Sequence, residues 1–180
     1  GVNLFFFYNL SFGGLVDGLA DLGPGTDVLL ATGSESRDPD EVEAYLDEVC
    51  ERLAVDGVDL LFTEYVNPGD DLDELLDDQG IVGRLHRLKA AGRIRYVGAT
   101  VHSRPLAEEL LASGRIDVLM HRYNMAHVGA EERVLPAAQE GGVPVIAFTC
   151  TRWAQLLKGH GDGGGGATVG GRLLPLCPPP

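Results

Sequence analysis

The sequence predicts an α/β fold built on a parallel sheet. Three observations carry that prediction. Six short apolar runs recur along the 180 residues, and most are continuous rather than alternating, as strands buried on both faces require. Stretches of helical periodicity separate them, so strand and helix alternate along the chain. The composition, 44% hydrophobic and 23% charged, is that of an ordinary globular domain, and the chain is long enough for one sizeable core.

The first run, VNLFFFY (2–8), has no basic segment before it and no small-residue cleavage site after it. It reads as a strand, not a signal peptide. A weak helical pattern occupies 14–22, and DVLLAT (27–32) is the second strand. Asp38 followed by Pro39 starts a helix, with an Asx cap and then proline at the first helical position. Val42, Leu46, Val49 and Leu53 recur at helical spacing and would face the sheet. Asp40, Glu41 and Glu43 crowd its first turn, where the helix dipole favours negative charge. VDLLFTEYV (58–66) is the third strand, and a helix is predicted over 71–91 with Gly92 as its C-cap. IRYVGAT (94–100) is the fourth strand, followed by a helix from Pro105 to Ser113. IDVLMHRY (116–123) is the fifth, followed by a helix from Ala130 to Glu140 that Gly141 and Gly142 end. VPVIAFT (143–149) is the sixth, and a weak helix is expected near 152–158. The last stretch, GDGGGGATVGGRLLPLCPPP, is dominated by glycine and proline and predicts a flexible tail without a packed core. The folded domain is therefore assigned to 1–158 and the tail to 159–180. A start inside a strand and a tail of foreign composition are what a fragment, a processed product or an altered reading frame would show.

Several function classes are disfavoured. A formal net charge of −13 argues against a nucleic-acid partner, which needs a basic surface to release counterions. No apolar run approaches the roughly 18 residues of a membrane span, so no membrane partner is expected. Cys50, Cys150 and Cys177 are odd in number and lack metal-ligand spacing, which fits a reduced, cytoplasmic setting. Neither the first strand–helix turn nor GSES (33–36) carries a phosphate-binding glycine fingerprint, and no Walker-type motif is present. A doubly wound sheet is thereby weakened against a (β/α) barrel, although both share the alternation.

Read in order, the segments resemble the aldo-keto reductases. GVNLFFFYN resembles that family's G-[IV]-N-x-F-D-T-A strand, and DVLLATG its x-V-x-[IL]-A-T-K. CERLAVDGVDLLFTEYV resembles L-x-R-L-x-x-D-Y-[IV]-D-L-x-x-x-H, and LKAAGRIRYVGATVHS resembles L-x-x-x-G-K-I-R-x-[IV]-G-V-S. VLMHRYNMAH resembles x-x-Q-x-x-Y-N-x-x-x, and GGVPVIAFT resembles x-G-[IV]-x-V-x-A-Y-S. Together the matches cover 1–158 in the family's order. The resemblance implies an incomplete TIM-type (β/α) barrel holding strands two to seven of eight. Such a barrel exposes two strand edges, which invites pairing with a second copy of the chain.

The resemblance also implies hydride transfer between NADP and a small carbonyl or alcohol. In the family a tyrosine is the acid, a lysine lowers its pKa, an aspartate pairs with the lysine and a histidine orients the substrate. Here the aspartate position is Phe6, the tyrosine position falls near Ser11 with Tyr8 close by, the lysine position is Gly33 and the histidine position is Glu64. Loss of the lysine removes the reason for its aspartate, so the changes agree with one another. On the cofactor side the family's Ser–Asn pair after strand five becomes Thr100–Val101, its strand-six glutamine becomes Met120, and its stacking aromatic is retained as Phe148. The family's adenosine-phosphate grip follows strand eight, for which the resemblance finds no matching segment here. The thinned contacts predict weak NADP binding by this chain alone.

Strand C-terminal ends line a barrel's active site. Here they hold Tyr8 and Asn9, Ser34 and Glu35, Glu64, Thr100 and His102, His121, Arg122 and Asn124, and Thr149 and Arg152. Glu64 is the first candidate for a base or a partner to a cation, weighed against an ion pair with Arg122 or Arg152. His102, His121 and Tyr8 are acid/base candidates, the histidines weighed against structural or solvated roles. Arg122 and Arg152 suit a carboxylate or phosphate, or a salt bridge at the rim. Asn9 and Asn124 complete the substrate-binding candidates, and Thr100 and Phe148 those for the cofactor. Trp153 reads as packing, Cys150 as a small buried residue, and His86 and His160 as solvated. Glu64, His102 and His121 have no spacing that defines a metal geometry, so no metal is expected. Beside the oxidoreductase stand two alternatives: a non-redox dehydratase, isomerase or lyase using Glu64 and a histidine, and a catalytically inactive truncated product.

Overall fold

The computed structural model describes residues 2–23, 26–151, 168–169 and 172–173. Six strands form one parallel sheet: β1 (Leu4–Phe7), β2 (Leu29–Ser34), β3 (Val58–Val66), β4 (Ile94–Val101), β5 (Val118–Arg122) and β6 (Val145–Phe148). Their order in the sheet is their order in the chain. Every crossover therefore steps to the next position in the same direction. A doubly wound sheet reverses direction at a switch point; a barrel does not. The result is a curled partial barrel of six strands.

Two apolar clusters lie on the two faces of that sheet. The larger packs β-strand residues such as Leu61, Val97 and Leu119 against the helices. The smaller lines the concave face with Ala31, Leu60, Phe62, Val118 and Met120, flanked by half-buried Leu4, Phe6, Ile146 and Phe148. Side chains alternate along a strand, so residues of one parity line the lumen and the other parity meets the helices.

The helices are α1 (Gly13–Leu22), α2 (Pro39–Leu53), α3 (Leu72–Leu76), α4 (Ile81–Ala90), α5 (Arg104–Ala112) and α6 (Val134–Glu140). In α2 the expected face is the buried one: Val42, Leu46, Val49 and Leu53 are all at most 2% exposed. Each contributes roughly 1.5–3 kcal/mol by burial. Asp38 caps the helix, its carboxylate accepting 2.8 Å from Asp40 N–H. Gly92 takes φ +76 beyond α4, the left-handed conformation expected of a C-cap.

Two predicted helices are broken. The one expected over 71–91 divides into α3 and α4. Asp77 accepts 2.8 Å from Gln79 N–H in an Asx turn, and Gly80 packs so close to the Glu74 carbonyl that no side chain fits. The helix expected from Ala130 is a 3-10 turn, Gly129–Glu131, followed by α6. Pro136 lacks the N–H needed to bond a preceding carbonyl, so it sits in the first turn of a helix that starts afresh. In the segment expected to be a tail, Thr168–Val169 and Arg172–Leu173 pair antiparallel. The helix expected near 152–158, with Arg152, Trp153 and His160, lies outside the described residues, as does Cys177.

Candidate active site

The lumen-facing row of β3 runs Leu60, Phe62, Glu64, so the alternation that builds the apolar wall carries a carboxylate to its C-terminal end. A register shift between Thr63 and Val66 marks a bulge there. Tyr65 takes a left-handed φ of +57 and donates its N–H to Thr100 Oγ1 at 2.7 Å. Left-handed backbone in a tyrosine costs energy that surrounding contacts must hold. Arg37 supplies some of them: it donates to the Glu64 carbonyl at 3.0 Å and to the Glu35 carbonyl at 3.0 Å. Its charge is taken by Asp70, at 2.9 Å, whose carboxyl it holds below the usual range. The cation nearest the Glu64 backbone is thus already paired.

Glu64 is 4% exposed, and its Oε1 has no hydrogen-bond partner among the described residues. Burial, with Glu35 nearby, raises its pKa to about 7. The ion pair considered with Arg122 does not form; Arg152 is outside the described residues. Gly33 faces Glu64 from β2. A Cβ at position 33 would lie 2.6 Å from both Glu64 Cγ and Oε1. The carboxylate fills the space that a side chain at 33 would need.

Several other predicted residues lie at the same end of the sheet. Tyr8, half-exposed, packs edge-on against Phe6 with centroids 4.9 Å apart. Burial and the Glu64 charge raise its pKa, so it is a neutral hydrogen-bond donor. His102 lies edge-on between Tyr65 (5.4 Å) and Phe148 (4.7 Å). Burial, assisted by Arg122, lowers its pKa. Thr100 Oγ1 accepts from Tyr65, and its own proton remains available to donate. Thr100 thus presents a hydroxyl and Phe148 an aromatic ring at this end of the sheet, and buried Met120 adds apolar wall.

Other candidates stand apart. His121, 1% exposed, follows lumen-facing Met120 and points to the opposite face. Its Nδ1 lies 2.8 Å from the Val101 carbonyl, and burial lowers its pKa. It shares a cleft with Arg122 and His102 at the C-terminal rim of β4 and β5. Asn124 donates 2.8 Å to the Thr149 carbonyl and accepts 2.8 Å from Ala126 N–H, which ties the loop after β5 to the end of β6. Asn9 accepts 3.0 Å from Ser11 N–H and shapes the entry to α1. Both amides hold main chain. Cys150 is exposed rather than buried, its thiol donating 3.2 Å to the Ala147 carbonyl because the turn after β6 carries it outward. His86 is bonded through Nε2 to the Arg115 carbonyl at 2.9 Å, not merely solvated. Among the described residues no cluster of His, Cys, Asp or Glu is placed to hold a metal ion, and no helix is long and apolar enough to cross a membrane.

Three contributors carried no sequence signal. Tyr45 on α2 shares a 2.6 Å hydrogen bond with buried Thr32 Oγ1 and senses Glu64; its spacing reads only as helix face. Arg37 reads as a loop cation. Arg104, which lines the cleft with His121 and Arg122, is visible in the sequence only as the residue before a helix-starting proline.

A model of the aldo/keto reductase family matches residues 28–163. The chain belongs to the aldo/keto reductase family. The NADH-specific methylglyoxal reductase of Escherichia coli K12 is 22% identical over 111 residues, covering 62% of this chain and 33% of that protein. An aldo-keto reductase from Bacillus halodurans, in its holo form, superposes with a TM-score of 0.75 at 24% identity, over 93% of this chain and 59% of that one. An aldo/keto reductase from Klebsiella pneumoniae, solved in complex with NADP and acetate, gives a TM-score of 0.70 at 18% identity, over 88% and 56%. The chain therefore spans one third of the curated relative and under three fifths of these solved structures.

Proposed function

We propose that this aldo/keto reductase is an NAD(P)H-linked oxidoreductase of small carbonyls, in which protonated Glu64 replaces the family's tyrosine as the acid. The observation that carries this reading is the lumen-facing Glu64 carboxyl, buried, unpartnered at Oε1 and with a pKa of about 7. A group that titrates near working pH is both sufficiently protonated and sufficiently acidic to deliver a proton. Phe148 and Thr100 would hold a nicotinamide ring, which would supply hydride to the carbonyl carbon. Glu64 gives its proton to the carbonyl oxygen, which leaves an alcohol and a glutamate that regains a proton from solvent. Tyr8 donates a hydrogen bond to the substrate and stays protonated, because its own pKa is raised. The apolar wall of Phe6, Phe62 and Phe148 excludes water around the carboxyl.

Titration of NADPH and NADH, followed by cofactor fluorescence, tests the binding half. Turnover of a panel of small aldehydes and ketones, methylglyoxal among them because the Escherichia coli relative is a methylglyoxal reductase, tests the chemistry. Glu64→Gln should lower kcat by about 100-fold or more, the scale of general acid catalysis, and leave cofactor affinity unchanged. Wild-type turnover should fall as pH rises through about 7. Absence of cofactor binding, or equal turnover by the variant, overturns the reading. Turnover without cofactor assigns the non-redox alternative.

A further inference from the structure

The chain carries a formal charge of −13, and its arginines are mostly bound to carboxylates. Ion pairs join Arg37 to Asp70, Arg84 to Asp40 and Glu43, Arg93 to Asp47, Arg95 to Asp59 and Arg115 to Asp78. Arg52 and Arg133 pair with Asp17 and Glu108, and Arg87 donates to the Asp78 carbonyl. Arg104 and Arg122 have neither an ion pair nor a side-chain hydrogen bond among the described residues. These two arginines line one cleft of about 430 Å³, together with His102, His121, His127 and Gly129. No carboxylate lines it. Two guanidinium groups gathered in a concavity that no described carboxylate lines offer an anion several charge-assisted donors.

The local structure shapes the cleft for one. Gly129 has no side chain, and a Cβ there would collide with Arg104 Nη1, so the guanidinium lies against bare backbone. The bond from His121 Nδ1 to the Val101 carbonyl fixes that buried ring and leaves Nε2 as its atom for the cleft. Arg104 is also the first residue of α5, where Ser103 makes no side-chain cap. The first-turn amides and the helix dipole add to the positive field. Donors arrive from the end of β4, the start of α5, the end of β5 and the loop after it. A planar carboxylate is satisfied by one guanidinium fork; convergence from several directions suits a tetrahedral oxyanion.

We propose that this cleft, at the C-terminal rim of the barrel, is a binding site for a phosphate group, gripped by Arg104 and Arg122 and backed by the three histidines. The ligand is free phosphate or the phosphoryl group of a small metabolite. The proposal does not depend on the redox reading, because it is tested without cofactor. Isothermal titration of the full chain with inorganic phosphate, glycerol phosphate and acetate separates the sources and the anion class. Saturable binding of phosphate or the ester, with acetate weaker by about tenfold or more, is expected. Arg104→Ala and Arg122→Ala should each weaken binding about tenfold or more, the scale of a lost charge-assisted hydrogen bond. Arg95→Ala, which removes the same charge at the opposite end of β4, should leave it unchanged. In the unaltered chain, phosphate should shift the ring NMR signals of His102 and His121 and not those of His86 on α4. No saturable binding of phosphate or the ester, acetate binding as well as they do, equal loss in Arg95→Ala, or an equal shift of His86 overturns the proposal.

Discussion

Gly33 and Glu64 share one volume. The 2.6 Å approach that a Cβ at 33 would make to the carboxyl means that a side chain at 33 and a glutamate at 64, as oriented here, exclude each other. The cost of the arrangement appears in its titration. The Glu64 pKa rises from an ordinary 4.5 to about 7 in the fold, so the folded state holds its proton where the unfolded chain has released it. Stability from this group is intact below pH 4.5, falls between 4.5 and about 7, and stays lowered above that. The full loss is on the order of 3 kcal/mol. Glu64→Gln removes it. Urea denaturation should show the variant little different from wild type at pH 4 and more stable by a few kcal/mol at pH 8; a constant difference across that range would refute the assignment. Position 64 was legible as a strand-end carboxylate. Its pKa was not, because Glu35 and the apolar wall reach it only through the sheet.

At the scale of elements, β3 and β4 make the site. Gly98 on β4 lies under the Phe62 ring, and a Cβ there would collide with it. The ring belongs to the concave cluster and cannot swing away without opening it. Gly98→Ala should therefore destabilise the fold by about 1–3 kcal/mol, read as a lowered midpoint in thermal unfolding. Strand positions and the buried face of α2 followed from local patterning, because periodicity and burial coincide there. The break between α3 and α4 did not, although Asp77 and Gly80 are both turn formers. An apolar spacing across the gap concealed it. Nor did the bulge at Tyr65, whose left-handed backbone depends on Thr100 from the next strand.

For the whole molecule the decisive fact is the open sheet. Among the described strands, β1 and β6 each pair on one side. The concave wall between them leaves Leu4, Phe6, Ile146 and Phe148 half-buried. Unpaired edges beside apolar surface favour association, against which a charge of −13 acts by repulsion. We expect the chain to self-associate through these edges. Sedimentation at raised ionic strength should show dimers or larger species, and a monomer across the micromolar range would count against the expectation.

By itself the sequence determined the strand–helix alternation, the family, and the identities at positions 6, 33 and 64, since these depend on short-range pattern and residue order. Only the tertiary structure decided that Glu64 is buried with its Oε1 unpartnered among the described residues, that His121 turns away from the lumen, and that Arg104 meets Arg122 in a cleft. Each of those depends on which strand lies beside which and on which face a residue presents. Charge and burial are set by neighbours distant in the chain, and no local spacing encodes them.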